Sequence, residues 1–268
     1  MTSESSKILR WDPQFDLPET EPTFRYAIFA QQRTGSYWLC DVLTNELNFG
    51  VPTEYLHALN IRKIGSRLAE RALIKDEANF TVDEYLSAIE KIRTSQRSKR
   101  FGIKIQPNEL VAIFKNDISK MSEIISRYDA VIYLYRKNKL AQAVSTTLAM
   151  ATHKWISDGN DYNVSNIQLD NLIPLLSLNL HRHTNEDRLM KAIRSKTNNC
   201  VLVTSYEEMF ANKDEFLRKV FSVLEADEES PTGRAEVVPV AKKAAGQAAG
   251  ILQEIFLAYI SGDGSYDF

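Results

Sequence analysis

Residues 31–37 combine the side chains that proteins use to bind an anion. They read Gln-Gln-Arg-Thr-Gly-Ser-Tyr, so they offer a guanidinium, two aliphatic hydroxyl groups and a glycine that permits close approach to the backbone. A short apolar run precedes them, and apolar residues at helical spacing follow. Backbone N–H groups and the helix dipole favour a phosphate-like group at such a strand-to-helix turn. An ordinary turn with a surface arginine explains the pattern equally well.

The same segment lacks the features of an ATP-binding loop. The pattern G-x-x-x-x-G-K-[ST] is absent, and no lysine stands where it would reach a β- or γ-phosphate. No aspartate at the end of a neighbouring strand is paired with the loop to hold magnesium. The segment is therefore predicted to bind an anion without metal-assisted phosphoryl transfer.

A second strand, polar turn and helix occur at residues 130–145. Arg136 follows the apolar strand, at the end where α/β sheets place their ligands. Gln142 and Ser145 are three residues apart, so they lie on one face of the following helix. Arg136 and Ser145 suit a phosphate group, although Arg136 taken singly is more typical of a strand-end arginine paired with a surface acid. Two such sites in one sheet favour a nucleotide with anionic groups at both ends.

The elements that would position these residues alternate along the chain. Short β-rich runs lie at 26–30, 101–105, 130–135 and 200–204, and helical patterns lie at 38–47, 82–93, 109–125, 140–153, 185–194 and 214–224. This order predicts an α/β fold, with a parallel sheet and helices on both of its faces. Residues 23–268 are expected to form a single domain after an extended lead-in at 1–22.

Composition argues against several classes of protein. The chain has 268 residues, 44% of them hydrophobic and 25% charged, and its net charge is −2, so nonspecific binding to nucleic acid is not favoured. No apolar run is long enough to span a membrane, and residues 1–7 do not resemble a signal peptide, so a cytoplasmic protein is expected. Cys40 and Cys200 are expected to be buried free thiols, and no cluster of ligands predicts a zinc site.

Four segments occur in an order that resembles a known family. They are the loop at 32–36, Gly-Val-Pro-Thr-Glu-Tyr-Leu at 50–56, the run from Arg136 to Ser145 with Trp155 beyond it, and Tyr-Glu-Glu-Met at 206–209. Their spacing over residues 25–225 is similar to that of the sulfotransferases typified by mycobacterial trehalose 2-sulfotransferase. The resemblance implies a P-loop-like sulfotransferase fold that moves the sulfuryl group of 3'-phosphoadenylyl sulfate (PAPS) to a carbohydrate or glycolipid hydroxyl. The nucleotide product is adenosine 3',5'-bisphosphate (PAP), and no metal is implied.

The resemblance also implies roles for individual residues. Those that would hold the 5'-phosphosulfate are Arg33, Thr34, Gly35, Ser36 and Tyr37. Arg136 and Ser145 would hold the 3'-phosphate, and Gln142 is a further candidate. Glu54 matches the catalytic base, which takes the proton from the acceptor hydroxyl, and His57 is the lower-ranked alternative. Because relatives form dimers, a homodimer is also expected.

Several residues keep two interpretations each. Apart from the resemblance, Glu54 is typical of a glutamate in the first turn of a helix. Lys104 lies within an apolar strand, so its ammonium reaches the transferred group or the acceptor, or else extends past the strand end into water. Trp155 is expected either to stack on a sugar or adenine ring or to lie in the core. Tyr206 is expected either to hydrogen-bond near the adenine or to pack.

The carboxyl-terminal part matches the family least. Residues 234–250 end in Lys-Lys-Ala-Ala-Gly-Gln-Ala-Ala-Gly, where Lys242 and Lys243 either close over the 3'-phosphate or begin a solvated helix. Little family pattern occurs at 57–100 and 156–200, so the acceptor itself is not identified.

Two other functions compete with sulfuryl transfer. A nucleotide-dependent phosphotransferase of similar fold is disfavoured, because the loop lysine and the magnesium ligands are missing. A noncatalytic nucleotide-binding protein predicts PAP binding without turnover, and the presence of Glu54 argues against it.

Overall fold

Four parallel strands form the sheet of the computed structural model, which describes residues 11–77, 79–155, 162–224 and 246–261. The strands are β1 Phe24–Ala30, β2 Arg100–Ile105, β3 Ala130–Tyr135 and β4 Cys200–Ser205. Their order across the sheet is β2-β1-β3-β4, and every pairing is parallel. The four predicted strands are confirmed, with ends that differ from the prediction by a residue or two.

Helices connect the strands. They are α1 Ser36–Asp41, α2 Ala58–Glu70, α3 Val82–Arg93, α4 Pro107–Phe114, α5 Ile118–Ser126, α6 Lys139–Thr152, α7 Ile173–Arg194, α8 Tyr206–Ala211, α9 Lys213–Val223 and α10 Gln247–Ser261. Helix α1 continues as a π-helical segment, Val42–Glu46, and 3-10 turns occur at Pro13–Phe15 and Asp170–Leu172. Helices α2, α8 and α10 are absent from the predicted helical patterns, and a helix start near Glu54 or Lys242 was only an alternative interpretation of those residues.

The predicted helix at 109–125 is two helices, α4 and α5. Between them, Lys115 and Asn116 have positive φ angles of 50° and 69°, a left-handed conformation that ends a helix. The carboxylate of Asp117 then accepts hydrogen bonds from backbone N–H groups in the first turn of α5. A polar turn therefore interrupts the apolar pattern that predicted one continuous helix.

Helix α7 is longer than predicted. The apolar pattern indicated only 185–194, whereas the helix begins at Ile173. Asn179 and His183 are fully buried, at positions where an amphipathic helix normally carries apolar residues. These buried polar side chains hide the helical period in the sequence.

Side chains alternate between the two faces of the sheet, as the geometry of a strand requires. On β1, Ala27 and Phe29 pack into a core formed with α2, α3, α4, α5 and the end of α7. Tyr26, Ile28 and Ala30 pack into a second core formed with α1, α8 and α9. A third apolar cluster joins α6, α10 and the start of α7. The predicted α/β fold with helices on both faces is confirmed.

The two cysteines differ in exposure. Both are free thiols, and Cys40 is buried as expected. Cys200 is exposed, so that expectation was wrong. The reason is that Cys200 begins β4, a strand at the edge of the described sheet.

Candidate active site

The carboxyl ends of the four strands lie at one edge of the sheet, because the strand register ends them at nearly the same level. Residues 31–37 follow β1, Gln106 follows β2, Arg136 follows β3 and Tyr206 follows β4. Ligands of parallel α/β sheets bind at this edge. The fold therefore brings the two predicted anion sites together.

The loop at 31–37 owes its shape to a glycine. Gly35 has a φ angle of +75°, and a Cβ atom there would lie 2.5 Å from Cε of Met209 and 2.9 Å from a ring carbon of Phe210. Only glycine fits this position without strain, because α8 packs against the loop. Thr34 is fully buried, and its hydroxyl donates to the carbonyl oxygen of Gln31 at 2.8 Å. The hydroxyl proton of Thr34 therefore stabilises the loop itself.

Arg33 reaches from the first motif to the second. Its Nε donates to Oγ of Ser145 at 2.9 Å. Its Nη1 donates to the carbonyl oxygen of Trp155 at 2.5 Å, and its Nη2 donates to the hydroxyl of Tyr162 at 3.0 Å. One guanidinium thus ties the loop after β1 to α6 and to the chain beyond α6.

Arg136 lies beside Arg33. Its Nη1 donates to the carbonyl oxygen of Arg33 at 3.3 Å, and its Cζ lies 4.5 Å from the centre of the Tyr206 ring. Its buried Nε has no hydrogen-bond partner among the described residues. Burial lowers the pKa of Arg136, and the charge of Glu207 partly offsets this effect, but an arginine stays charged in proteins. Within the described ranges, neither Arg33 nor Arg136 forms an ion pair with a carboxylate.

Residues of helix α6 form hydrogen bonds with the loop at 31–37. Gln142 is fully buried and donates to the carbonyl oxygen of Gln32 at 2.7 Å. Lys139 donates to Oε1 of Gln31 at 2.8 Å and pairs with Asp187 of α7 at 2.9 Å. The structure therefore places Gln142 under the loop as a backbone support.

Glu54 lies in the irregular segment between the π-helical segment and α2. Gly50, with a φ angle of +85°, lets this segment approach the backbone beside β2. The N–H of Lys104 in β2 donates to the carbonyl oxygen of Thr53 at 3.0 Å. Nδ2 of Asn60 donates to the carbonyl oxygen of Glu54 at 2.8 Å. Glu54 thus precedes α2, and its interpretation as a glutamate in a first helical turn was wrong.

The carboxylate of Glu54 binds two donors. Nζ of Lys104 lies 2.6 Å from Oε1 of Glu54, and Nε2 of Gln106 donates to the same oxygen. Lys104 is only 8% exposed, so the alternative interpretation, in which its ammonium extends past the strand end into water, was wrong. The strand lysine is instead neutralised by the acid that the sequence singled out.

The Glu54 carboxylate and the Lys104 ammonium each stabilise the charged form of the other. Burial acts to raise the pKa of Glu54, but the Lys104 ammonium and the hydrogen bonds from Lys104 and Gln106 outweigh it and hold that pKa below its ordinary value. Burial acts to lower the pKa of Lys104, but the Glu54 carboxylate outweighs it and the net change is upward. Both groups are therefore charged at neutral pH. Burial and the charge of Glu54 raise the pKa of nearby Glu109 well above its ordinary value.

Comparison with protein-family models identifies the family of this chain. The family model of the Stf0 sulphotransferases matches residues 25–249. The chain belongs to the Stf0 sulphotransferase family. One solved structure, the sulfotransferase domain from the curacin biosynthetic pathway, is 12% identical to the chain, with 86% of this chain and 83% of that chain covered and a TM-score of 0.46. A search of curated proteins found no match.

Membership of the Stf0 sulphotransferase family supports a sulfotransferase activity. Among the helices in the described ranges, none is both long enough and apolar enough to cross a membrane. The described residues also contain no group of three or more histidine, cysteine, aspartate or glutamate side chains suited to a metal ion.

The remaining predicted site residues differ in burial and in their contacts. Trp155 is 44% exposed, so its interpretation as a core tryptophan was wrong. Tyr206 packs on Arg136, as described above, and its ring lies 4.6 Å from that of Phe210. His57 is half-buried, and its backbone N–H donates to the carbonyl oxygen of Glu54 at 3.2 Å. Ser36 is buried at the start of α1, Tyr37 is half-buried after it, and Lys242 and Lys243 lie outside the described residues.

Two residues of the site were missed from the sequence. Gln106 donates a hydrogen bond to Glu54. Its position was the available signal, since it is a polar residue between the end of β2 and the proline that begins α4. Tyr162 binds Arg33 and is 4% exposed, although the stretch of sequence around it is rich in residues typical of turns. No local pattern distinguishes a buried tyrosine in such a stretch.

Proposed function

We propose that this protein transfers the sulfuryl group of PAPS to a hydroxyl group of a carbohydrate or glycolipid, with Glu54 as general base. The arrangement of Arg33 and Arg136 is the main support for this proposal. Two adjacent guanidinium groups lie at the carboxyl edge of the sheet, and no described carboxylate pairs with them. Partly buried guanidinium groups without an ion-paired carboxylate are costly, and the charge of Glu207 offsets this only in part at Arg136. A bound phosphate would relieve that cost.

The chain's residues fit a nucleotide with a phosphate at each end. Arg136 and Ser145 would hold the 3'-phosphate, since the buried Nε of Arg136 still lacks an acceptor among the described residues. The loop at 33–37 would hold the 5'-phosphosulfate through its backbone N–H groups and through Arg33. The contact between Arg33 and Ser145 supports one continuous anion site for both ends.

Glu54 would take the proton of the acceptor hydroxyl. PAPS supplies the sulfuryl group, whose sulfur bonds to the acceptor oxygen as the bond from sulfur to the bridging oxygen breaks, leaving that electron pair on PAP. Glu54 is ionised at neutral pH because Lys104 and Gln106 stabilise its carboxylate. An ionised carboxylate next to the acceptor is ready to act as a base, although the lowered pKa of Glu54 weakens its proton affinity.

The acceptor class rests on the family resemblance and on the aromatic surface near the site. Trp155 is 44% exposed, and its carbonyl oxygen accepts a hydrogen bond from Arg33. An exposed indole held beside an anion site is suited to stacking on a sugar ring. A carbohydrate or glycolipid is therefore the acceptor we propose, and the homodimer and the cytoplasmic location stay predictions.

Two measurements test the proposal. Thermal-shift titration with PAP tests the nucleotide site, and an acceptor screen with labelled PAPS tests the reaction. We expect PAP to stabilise the protein and label to appear in a sugar product in the presence of a metal chelator. Turnover that requires magnesium would favour a phosphotransferase instead. Tight PAP binding without label transfer to any acceptor would favour a noncatalytic nucleotide-binding protein.

A further inference from the structure

The two donors to Glu54 bind the same carboxylate oxygen. Nζ of Lys104 lies 2.6 Å from Oε1, and Nε2 of Gln106 donates to Oε1 as well. Oε2 of Glu54 has no hydrogen-bond or ion-pair partner among the described residues. The side chain of Glu54 is 24% exposed, whereas that of Lys104 is 10% exposed. The carboxylate therefore has one saturated oxygen and one with free lone pairs.

We propose that Lys104 is a positioning residue that acts through Glu54, and that Oε2 of Glu54 is the atom that accepts the proton. This inference rests on the proposed function, in which Glu54 is the base. Lys104 and Gln106 fix the carboxylate through Oε1, so Oε2 faces the acceptor. Fixing one oxygen restricts rotation of the carboxylate, and this orients the other oxygen before the reaction.

The positions of both donors are themselves fixed by the fold. Lys104 lies within β2, beside Ile28 of β1, so its backbone cannot shift independently of the sheet. Gln106 precedes α4, and its backbone N–H donates to Oε2 of Glu109 at 2.8 Å. Pro107 begins α4 directly after it. The arrangement is thus rigid on the side of the donors.

The geometry disfavours a direct role of Lys104 on the transferred sulfuryl group. Its ammonium already forms a short ion pair with Glu54 in a buried place. Turning the ammonium toward a ligand would break this buried ion pair and leave the Glu54 carboxylate with Gln106 as its remaining described donor, which is unfavourable. Lys104 is expected to stay on Glu54 throughout the reaction.

The proton step balances without a further reactant. The acceptor O–H bond breaks, its proton forms an O–H bond with Oε2 of Glu54, and its electron pair forms the new bond to sulfur. Lys104 keeps its proton, so it is a positive neighbour of Glu54 before and after the step. The other titratable groups that face this pair are Glu109 from α4, His57 from the segment before α2, and Cys40 from α1.

The first test measures the protonation of Glu54 directly. Carboxyl NMR titration of the nucleotide-free protein should show a higher pKa for Glu54 in Lys104→Met than in the wild type, because the opposite charge is lost. The acid limb of the kcat/KM profile, which reports groups of the free enzyme, should move to higher pH by the same amount. Gln106→Leu removes the second donor without changing a charge. It should raise the pKa of Glu54 and move the acid limb of the rate profile to higher pH, by less than Lys104→Met does. If neither variant shifts the Glu54 titration, the inference is wrong.

A double-mutant cycle separates the two roles of Lys104. If Lys104 acts only through Glu54, then Glu54→Gln/Lys104→Met should turn over no more slowly than Glu54→Gln, within about twofold. If the two losses multiply, Lys104 contacts the reacting groups itself and the inference is overturned. The PAP dissociation constant of Lys104→Met should stay within about twofold of the wild type, which also shows that this variant is folded.

Failure of the proposed function gives a different result. A wild-type protein that binds PAP but transfers no sulfuryl group, or a Glu54→Gln variant with the full rate, overturns the base assignment and this inference with it. A different result overturns this inference alone. In that case the wild type is active, Glu54→Gln is slow, and Lys104→Met reduces kcat further in the double variant.

Discussion

Oγ of Ser145 lies 2.9 Å from Nε of Arg33, and this hydrogen bond joins two motifs that are 112 residues apart in the chain. Arg136, which lies nine residues before Ser145, donates to the carbonyl oxygen of Arg33. The loop after β1 and the turn after β3 therefore form one surface. A nucleotide that bears phosphate groups at both ends would span it.

PAP should stabilise the folded protein much more than AMP does. The reason is that only PAP carries a 3'-phosphate for Arg136 and Ser145. At a PAP concentration of 100 times its dissociation constant, the free energy of unfolding should rise by roughly 2.7 kcal/mol. Thermal shift measured at equal concentrations of the two nucleotides is the check. Equal shifts would remove the 3'-phosphate site from the proposal.

Arg136→Ala should weaken PAPS binding more than it slows the chemical step. The proposed contact is to a phosphate that does not react, so ground-state and transition-state binding should fall together. Loss of one charge-assisted hydrogen bond should cost about 2 kcal/mol, which is roughly 30-fold in the dissociation constant. Arg218→Ala, on the exposed surface of α9, is the control and should bind normally. Normal PAP affinity in a folded Arg136→Ala variant would rule out the role.

Glu54→Gln should reduce kcat by roughly 10²- to 10⁴-fold. The amide oxygen can still accept from Lys104 and Gln106, so the amide NH₂ group then faces the acceptor and cannot take a proton. PAP affinity should change little, because no nucleotide contact is lost. His57→Ala is the matched comparison, since His57 is the other candidate base nearby. A dead His57→Ala with an active Glu54→Gln would move the base to His57.

Gly35→Ala should destabilise the protein by about 1–3 kcal/mol and weaken PAP binding. The added methyl group would lie 2.5 Å from Cε of Met209, at a φ angle of +75°. Gly250→Ala is the matched control, because a Cβ there meets nothing within 4 Å. It lies within α10, so alanine should be stabilising by roughly 0.5–1 kcal/mol. Urea denaturation and PAP titration measure both effects, and a wild-type-like Gly35→Ala would contradict the loop geometry.

Compared with the wild type, Glu109→Gln should have a higher free energy of unfolding at pH 7, and this gain should be smaller at pH 4. The pKa of Glu109 is raised in the folded state by burial and by the charge of Glu54. The folded state therefore keeps this proton to higher pH than the unfolded state, and stability falls as pH rises above the ordinary glutamate pKa. A glutamine is neutral throughout and removes that fall, while its amide oxygen can accept from the N–H of Gln106.

Urea denaturation of Glu109→Gln and the wild type at both pH values is the measurement. Glu123→Gln, which changes an exposed glutamate of α5, is the control and should show no such difference between the pH values. If the stability difference between Glu109→Gln and the wild type is the same at pH 4 and pH 7, the raised pKa of Glu109 is wrong.

The sequence by itself determined the sheet and located the turn at residues 31–37 between β1 and α1. Short apolar runs predict buried parallel strands because both faces of such a strand need apolar side chains, and β3 lies where its run predicted. The position of Gly35 was predictable for a similar reason, since a turn between strand and helix has local requirements. Anion binding by Arg33 stays a prediction. Helix α3 has the predicted bounds because Thr81 and Glu84 form a capping box at its start.

Only the tertiary structure decided what the buried polar residues do. Lys104 had two interpretations in sequence, and its partner Glu54 lies 50 residues away. The first half of α7 was missed because Asn179 and His183 replace the apolar stripe, and their partners Thr147 and Thr146 belong to another helix. A polar side chain is buried only where the fold supplies its hydrogen-bond partner, and strand register and helix packing place that partner from a distant part of the chain.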